Sequence, residues 1–188
     1  KCVSDDPETK VQPRQGKRTI TDEEKRRGTE TYVSTSAAAN GDNKDRRAMT
    51  HTLLSVQQQG SNQFVPVGSS NWIYNGLGYN PDDNWLYGIS QHRGSSGNPD
   101  PCYPAGHLLQ IDPVTGAVRD LGEVKNGGAS PFKDQNGARD RTLINTGVFY
   151  NNNLYVSNSA TSGSRDIYRV VLPAVGSSNP TGTNRGFK

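Results

Sequence analysis

An internal repeat constrains the fold of this chain more than any other feature of its sequence. Three short segments occur twice in the same order, and the copies are offset by 55, 55 and 54 residues. The matched segments are Tyr32 in TYVSTS with Tyr87 in LYGIS, LLSV (53–56) with LLQI (108–111), and FVPVG (64–68) with VRDLG (118–122). Self-similarity at a fixed period predicts like structural units that stack side by side and share a continuous core.

A third, less regular copy begins at Asn145. Its NTGVFYNNNLYVSN resembles NGLGYNPDDNWLYGIS, which starts at Asn75, and Tyr155 stands 68 residues after Tyr87 because the intervening loop is longer. DIYRVV (166–171) then takes the place of HLLQID. No convincing last segment follows, so we expect this copy to lack a clear closing strand.

Each repeated segment predicts a β-strand, because it is short, rich in Val, Ile, Leu, Tyr and Thr, and bounded by Gly, Asn, Asp or Pro. The complete middle copy has four such runs, at about 74–79, 84–90, 107–112 and 117–124. Four antiparallel strands per repeat of this length are typical of β-propeller blades. The predicted fold is therefore all-β, with about two and a half antiparallel, four-stranded, propeller-type blades.

Two adjacent carboxylates, Asp82 and Asp83, lie between the first two strands of the middle copy. Pro and Asp followed by Asn84 suit a tight turn, and the third copy has only asparagines, including Asn151 and Asn152, at the same corner. The favoured interpretation is a corner at which asparagine would serve as well as aspartate. The alternatives are a calcium site, for which the carboxylates supply oxygen ligands, and paired-carboxylate catalysis.

The two hairpins of the middle copy resemble those of a known repeat family. NGLGYNPDDNWLYGIS and HLLQIDPVTGAVRDLG are similar to the hairpins NALGYNP…YLYGI and LYRIDP.TG of a bacterial secreted, propeller-like family of unknown function, found within larger surface and adhesin-type proteins. The resemblance covers about residues 31–175 and is closest in the middle copy. It implies a propeller-type fold and a secreted, extracellular location, and it carries no catalytic residues.

The blades are too few for a closed ring. A closed propeller typically has four to eight blades, and this chain carries about two and a half. Unclosed blades leave strand edges that invite pairing. We therefore expect a partner that completes the array, either another chain or a segment of a parent protein, with residues 31–68 and 145–172 at the junctions.

The two ends of the chain differ from the repeats. Residues 1–30 contain almost no large apolar side chains, which predicts an extended arm with a short helix capped by Thr21 and Glu24. The predicted units are thus the arm at 1–30, a repeat region at 31–175 with blades at 31–68, 74–124 and 145–175, and a linker-like tail at 176–188.

The chain has two cysteines, Cys2 and Cys102, without a CxxC pair or a zinc-type Cys/His spacing. We expect one disulfide between them, which would pin the arm across the blades and fits an oxidising, extracellular compartment. The alternative is two free thiols. No metal site, catalytic residue or cofactor is predicted, because the histidines are isolated and no nucleophile motif surrounds them.

Function is expected on the long connections between strands, which all leave the same end of an antiparallel blade. Near this end, aromatic rings lie beside Arg, Asn and Asp side chains, and such groups can stack on and hydrogen-bond a sugar or a protein side chain. The expected ligand-binding residues are Trp72, Tyr74, His92, Arg93, Tyr103, Arg139, Arg141 and Arg165.

These residues favour a secreted, non-catalytic, lectin-like module that binds a glycan or a cell-surface protein. The alternative is a structural subunit or fragment of a larger secreted assembly of adhesin or toxin type, completed by another chain. The segment TYVSTSA (31–37) also resembles the Ser-Thr-Ser strand of ADP-ribosylating toxins. No convincing Gln/Glu-x-Glu follows on a downstream strand, so an ADP-ribosyltransferase-like enzyme is the weaker alternative.

Charge and hydropathy disfavour two other classes of partner. The net charge is +3, from 21 basic and 18 acidic residues, which is a mixed surface and not the concentrated basic patch of a nucleic-acid-binding domain. No run of about 18 apolar residues is present, so membrane insertion is not expected.

Overall fold

The computed structural model describes residues 2, 4–27, 31–38, 49–58, 60–91, 93–95, 98–132, 144–158 and 166–184. Within these ranges the strands form three antiparallel sheets of three, four and four strands and one two-stranded ribbon. The predicted all-β, blade-like class is confirmed. No helix in the described ranges is long and apolar enough to cross a membrane.

The first sheet corresponds to the first copy of the repeat. It contains β1 (Tyr32–Ala38), β2 (Met49–Gln57) and β3 (Phe64–Ser70), in that spatial order. Among the described residues no strand pairs with the outer side of β1, which agrees with the three repeated segments found in this copy against the four strand-like runs of the middle copy. The edge of β1 therefore occupies the position that an opening strand covers in the other two sheets.

The middle sheet has the four predicted strands. β4 (Tyr74–Asn80) and β5 (Trp85–Ser90) form the first hairpin. The long connection that follows contains a ribbon of β6 (Gly94–Ser95) and β7 (Asn98–Pro99), which was not predicted. β8 (His107–Ile111) and β9 (Val118–Glu123) then complete the spatial order β4-β5-β8-β9.

The third sheet is more complete than expected. It contains β10 (Ile144–Tyr150), β11 (Asn153–Asn158), β12 (Ile167–Val171) and a closing strand, β13 (Thr181–Asn184). The prediction that this copy lacks a closing strand, and that its residues belong to a tail, was wrong. TGTN offers no large apolar side chain, and the smallness of Gly182 is what lets β13 pack, since a Cβ there would lie 2.5 Å from the Val124 side chain.

The strand register corrects one part of the repeat alignment. Tyr32 pairs with Val56, and Tyr87 pairs with Gln110. Because Tyr32 and Tyr87 are equivalent, Val56 is equivalent to Gln110, and LLSV matches LLQI at an offset of 54 residues and not 55. The correction matters because a shift of one residue moves a side chain to the other face of a sheet. Leu54 and Leu108 therefore occupy the same position on the same face.

The three sheets pack face to face in chain order. We call the face that carries Tyr32, Tyr87 or Tyr155 the front of its sheet, and the opposite face the back. One core lies between the front of the first sheet and the back of the middle sheet, and a second lies between the front of the middle sheet and the back of the third. The first core includes Leu54, Leu86, Leu109, Ile111 and Val118, and the second includes Ile89, Leu108, Leu154, Val156 and Val170.

The N-terminal arm is not a separate tail, because it packs along the sheets. A 3₁₀ turn (Pro7–Thr9) is followed by an extended segment and by α1 (Asp22–Arg27). The predicted helix cap is confirmed: the Glu24 amide donates to Thr21 Oγ1 at 3.2 Å, and the Thr21 amide donates to the Glu24 carboxylate at 2.8 Å. The hydrogen-bonded guanidinium of Arg18 holds the pKa of Glu24 at about 2.

A disulfide and a buried arginine, both distant from α1, fasten this arm. The predicted disulfide between Cys2 and Cys102 is confirmed and joins residues 100 positions apart. Further along, Arg14 is buried; its Nη2 donates to Asp83 Oδ2 at 2.7 Å and its Nη1 to the Pro173 carbonyl at 2.9 Å. The arm therefore contacts both the middle sheet and the chain that follows β12.

The Arg14 contact changes the interpretation of the acidic corner. Residues 81–84 form the predicted turn, and Asn84 has a positive φ of 64°. Asp83, however, is buried and also accepts hydrogen bonds from the Tyr87 hydroxyl at 2.6 Å and the Trp85 amide at 3.2 Å. Turn chemistry therefore accounts for Asp82, which is exposed, but the prediction that turn chemistry explains both carboxylates was wrong for Asp83, which pairs with the buried Arg14.

Candidate functional site

Three of the eight predicted ligand-binding residues are core residues. Trp72, Tyr74 and Tyr103 are buried, and the ring of Tyr103 meets that of Trp72 edge-on with centroids 5.3 Å apart. Buried rings present no open face on which a sugar could stack. Four other predicted residues, His92, Arg139, Arg141 and Arg165, lie outside the described residues.

The eighth predicted residue, Arg93, reaches the surface and is held in place. Its guanidinium carbon lies 4.2 Å from the centre of the Tyr103 ring, a cation–π arrangement. Its Nη1 donates to the Asn71 carbonyl at 3.0 Å, and its Nε lies 3.5 Å from Asp100 Oδ2. These contacts fix the guanidinium at the rim of a cleft.

This cleft lies between the arm and the first sheet and has a volume of about 620 Å³. It is bordered by the start of β2, by the end of β3 and the residue that follows it, and by the start of the connection after β5. These are the ends from which the long connections leave, so the cleft lies on the predicted functional face. Its lining residues are Asp6, Pro7, Glu8, Thr50, His51, Ser69, Ser70, Asn71 and Arg93.

Asp6 forms one fixed wall of the cleft. Its Oδ2 accepts hydrogen bonds from the Tyr103 hydroxyl at 2.6 Å and from Asn71 Nδ2 at 3.2 Å, and its Oδ1 accepts from the Glu8 amide at 2.9 Å. The Tyr103 hydrogen bond, with the others, lowers the pKa of Asp6. Burial, together with Asp6, raises the pKa of Tyr103 to about 12, so its hydroxyl is a donor at neutral pH.

Glu8 is the second carboxylate of the cleft and has a different environment. Its Oε2 accepts a hydrogen bond from Ser70 Oγ at 2.8 Å, and its backbone carbonyl accepts one from the Trp72 indole at 3.0 Å. Burial raises the pKa of Glu8, because the charged form loses solvation, and the neighbouring Asp6 charge acts in the same direction. The environment of the cleft therefore lowers the pKa of Asp6 and raises the pKa of Glu8.

The remaining wall is neutral and polar. Thr50 Oγ1 and His51 Nδ1 lie 3.0 Å apart at the start of β2, and Ser69 and Ser70 end β3. Together with Asn71, these side chains supply hydroxyl, imidazole and amide groups that both donate and accept hydrogen bonds. In the part of the chain described, no cluster of three or more His, Cys, Asp or Glu side chains could hold a metal ion.

Asp6 and Glu8 were not predicted as site residues, because the arm was expected to act only as a tether. A usable signal was nevertheless present. A bond between Cys2 and Cys102 brings the residues next to Cys2 to the long connection after β5, which was already the predicted functional face. The polar side chains of Ser69 and Asn71 carry no comparable sequence signal, since such residues are ordinary at the end of a strand.

Comparison with known families gives a match to one of them. The family described as "Repeat of unknown function (DUF6923)" matches residues 38–185, which include all three sheets except most of β1. No curated protein matches the chain. Of the cleft residues, Thr50 to Arg93 fall within the matched region, whereas Asp6, Pro7 and Glu8 of the arm precede it.

Proposed function

Because this chain belongs to the DUF6923 repeat family, whose description assigns no function, we propose from its own geometry that it is a secreted, non-catalytic module that binds a glycan in the cleft. The observation that carries the proposal is the pre-arranged polar lining. Asp6, Asn71 and Arg93 are each held by hydrogen bonds before any ligand arrives. A site that needs no further ordering loses less free energy when it binds.

A glycan fits the chemistry of this lining better than an apolar ligand does. Sugar hydroxyls donate and accept hydrogen bonds, and the cleft presents carboxylate, guanidinium, imidazole, amide and hydroxyl groups side by side. The volume of about 620 Å³ falls within the range of small-molecule sites, about 300–1,000 Å³. In this proposal hydrogen bonding replaces the aromatic stacking that the sequence suggested.

The proposed location is extracellular. The Cys2–Cys102 disulfide supports it, because structural disulfides persist in oxidising compartments and are rare where thiols are kept reduced. The bond also ties Asp6 and Glu8 to the cleft, so reduction should weaken binding as well as stability. A second candidate role, as a subunit of a larger assembly, is favoured by exposed apolar side chains on the third sheet.

A glycan array followed by titration calorimetry tests the proposal. Ser69→Ala removes one hydroxyl from the cleft and should weaken binding of the identified glycan by roughly 3- to 10-fold, the value of about one hydrogen bond. Ser177→Ala is the matched control and should change nothing, because Ser177 is an exposed serine in the loop between β12 and β13 and does not line the cleft. Absence of any glycan ligand, or equal effects of the two variants, would refute the proposal.

The pH dependence of binding gives a second readout. Because burial raises the pKa of Glu8, its carboxylate takes up a proton on acidification before an ordinary glutamate does. If the ionised carboxylate accepts a hydrogen bond from the glycan, affinity should fall as pH is lowered through that raised pKa. Glu8→Gln should make the affinity less dependent on pH over the same interval.

A further inference from the structure

The front face of the third sheet exposes an apolar surface. On β10, Val148 is 61% exposed and Tyr150 is 65% exposed. The register places Val148 beside Tyr155 and Arg169, and Tyr150 beside Asn153 and Val171. By contrast, the back face of the same sheet carries buried apolar side chains, including Leu154, Val156 and Val170. One face of this sheet thus forms a core while the other carries uncovered apolar side chains.

The equivalent face of the middle sheet is covered by the third sheet and the arm. Tyr87, the equivalent of Tyr155, is fully buried and lies 5.4 Å from the Phe149 ring of the third sheet. Gln110, the equivalent of Arg169, bonds the backbone of Gln15 in the arm. The repeat therefore indicates what belongs on an uncovered front face, namely the back of a following sheet.

The shape of the front face selects which kind of sheet can bind there. β10 and β11 of the third sheet approach β4 of the middle sheet closely: a Cβ on Gly78 would lie 2.7 Å from the Leu154 side chain of β11, and a Cβ on Gly76 would lie 2.5 Å from the Ile144 side chain of β10. At the position equivalent to Gly78, opposite the repeated tyrosine, the third sheet has Val148. The Val148 side chain occupies the space that an incoming opening strand would need.

The first sheet is the one that lacks an opening strand among the described residues, and its back face is also partly open. On that back face Phe64 is 44% exposed, and Val33 and Leu53 are half-buried. We propose that the front face of the third sheet binds the back face of the first sheet of a second copy of this chain. The missing strand of one copy leaves room for Val148 and Tyr150 of the other.

This head-to-tail contact closes on itself with two copies. In the described ranges each copy has three packed sheets, so two copies arrange six such sheets in a ring, within the four to eight blades of closed propellers. Each chain uses both of these surfaces once, so neither surface is left to recruit a third copy. The contact repeats the face-to-face packing already present twice within one chain, which is why a heterologous interface can form a closed dimer here.

Light scattering coupled to size-exclusion chromatography tests the proposal on the intact chain. The unmodified chain should run as a dimer over the micromolar range. Val148→Asp places a charge in the contact and should weaken dimerisation roughly tenfold or more. Val175→Asp is the matched control, because Val175 is also 61% exposed but lies in the loop between β12 and β13. Circular dichroism should show that both variants are folded.

A mixing experiment separates this head-to-tail contact from others. Phe64→Asp damages the first-sheet surface and leaves the third-sheet surface intact, whereas Val148→Asp does the reverse. Each variant alone should dimerise less than the unmodified chain does, and their mixture should form heterodimers through the one undamaged junction more readily than either variant forms homodimers, as measured by native mass spectrometry.

Several results would overturn the proposal. A monomeric unmodified chain, or equal behaviour of Val148→Asp and Val175→Asp, would show that the face binds no second copy. Dimers disrupted by Val148→Asp but not by Phe64→Asp would show that two third sheets meet face to face instead. Assemblies larger than a dimer would contradict closure with two copies.

Discussion

The turn between β4 and β5, which is the corner of the middle sheet, and the turn between β10 and β11, which is the corner of the third sheet, both contain asparagine with a positive φ. Only the first of these corners contains buried residues. Asn84 has a φ of 64°, and Asn151 and Asn152 have φ values of 47° and 56°. Asparagine tolerates this left-handed region because its side chain bonds locally. The middle corner lies under the arm, where Asp83 is 4% exposed, while Asn151 and Asn152 are exposed.

The difference shows that comparing repeats identifies the residues that a turn requires, but not the residues that contacts with the rest of the protein require. Both corners satisfy the turn with asparagine, so the acidic residues of the middle corner look dispensable. Asp83 is nevertheless the anion that neutralises a buried arginine. Burial alone would lower the pKa of Arg14, but Asp83 and Tyr87 raise it, so the guanidinium stays charged. The charge of Asp83 is required by the arm, not by the hairpin.

The largest expected effect is that of Asp83→Asn. Removing one partner of a buried ion pair leaves the other charge uncompensated, so the free energy of unfolding should fall by about 3 kcal/mol or more. Urea denaturation measures it, and a double-mutant cycle with Arg14→Gln should give a coupling energy well above zero. A loss within the range of exposed-site variants would mean that the arm does not depend on this pair.

Asn84→Ala should have the next largest effect, about 2–3 kcal/mol. The substitution forces alanine into a positive φ, and it removes the hydrogen bonds that Asn84 makes with the Arg18 carbonyl at 2.7 Å and the Tyr79 hydroxyl at 3.0 Å. Asn84→Gly separates the two causes, because glycine adopts this φ freely and loses only the hydrogen bonds. Glycine should therefore recover part of the stability measured by denaturation.

Asn151→Ala, which changes one of the two positive-φ asparagines at the exposed corner, should cost about 1 kcal/mol, since only the backbone preference is lost. Here Asn151→Gly should restore full stability, unlike glycine at position 84. If glycine rescues both corners equally in thermal denaturation, burial under the arm adds nothing to the requirement for asparagine.

Asp82→Asn should have the smallest effect, within about 0.5 kcal/mol, because the side chain is exposed and substitutions at such positions are usually near neutral. Differential scanning calorimetry with and without added calcium checks the same residue. A melting temperature that rises with calcium in the unmodified chain, and not in Asp82→Asn, would revive the calcium interpretation of the corner.

Local patterns predicted the parts of the fold that local chemistry determines. The middle strands, the turn at 81–84 and the cap of α1 each follow from residues close together in sequence, and all are observed. The closing strand β13 was not predicted, because TGTN carries no apolar pattern and nine residues separate it from β12. The matching strands of the middle sheet, β8 and β9, are joined by a tight turn.

The candidate site was less predictable because long-range contacts build it. No local feature distinguishes Arg14 from the other arginines of the arm, or Glu8 from a solvated glutamate. Trp72 and Tyr103 stand near loops, where aromatic residues suggest a binding surface, but the arm covers them: Glu8 accepts from the Trp72 indole and Asp6 from the Tyr103 hydroxyl. Their burial depends on a segment far away in the chain.

The hydrogen bond between Arg14 and the Pro173 carbonyl also sets an order of events during synthesis. Its two residues are 159 positions apart. At about 5–20 residues per second, a ribosome takes roughly 8–30 s to cover that distance, during which the first two sheets can already form. The arm can make this contact only when Pro173 has emerged, so a segment that leaves the ribosome early is among the last to complete its contacts.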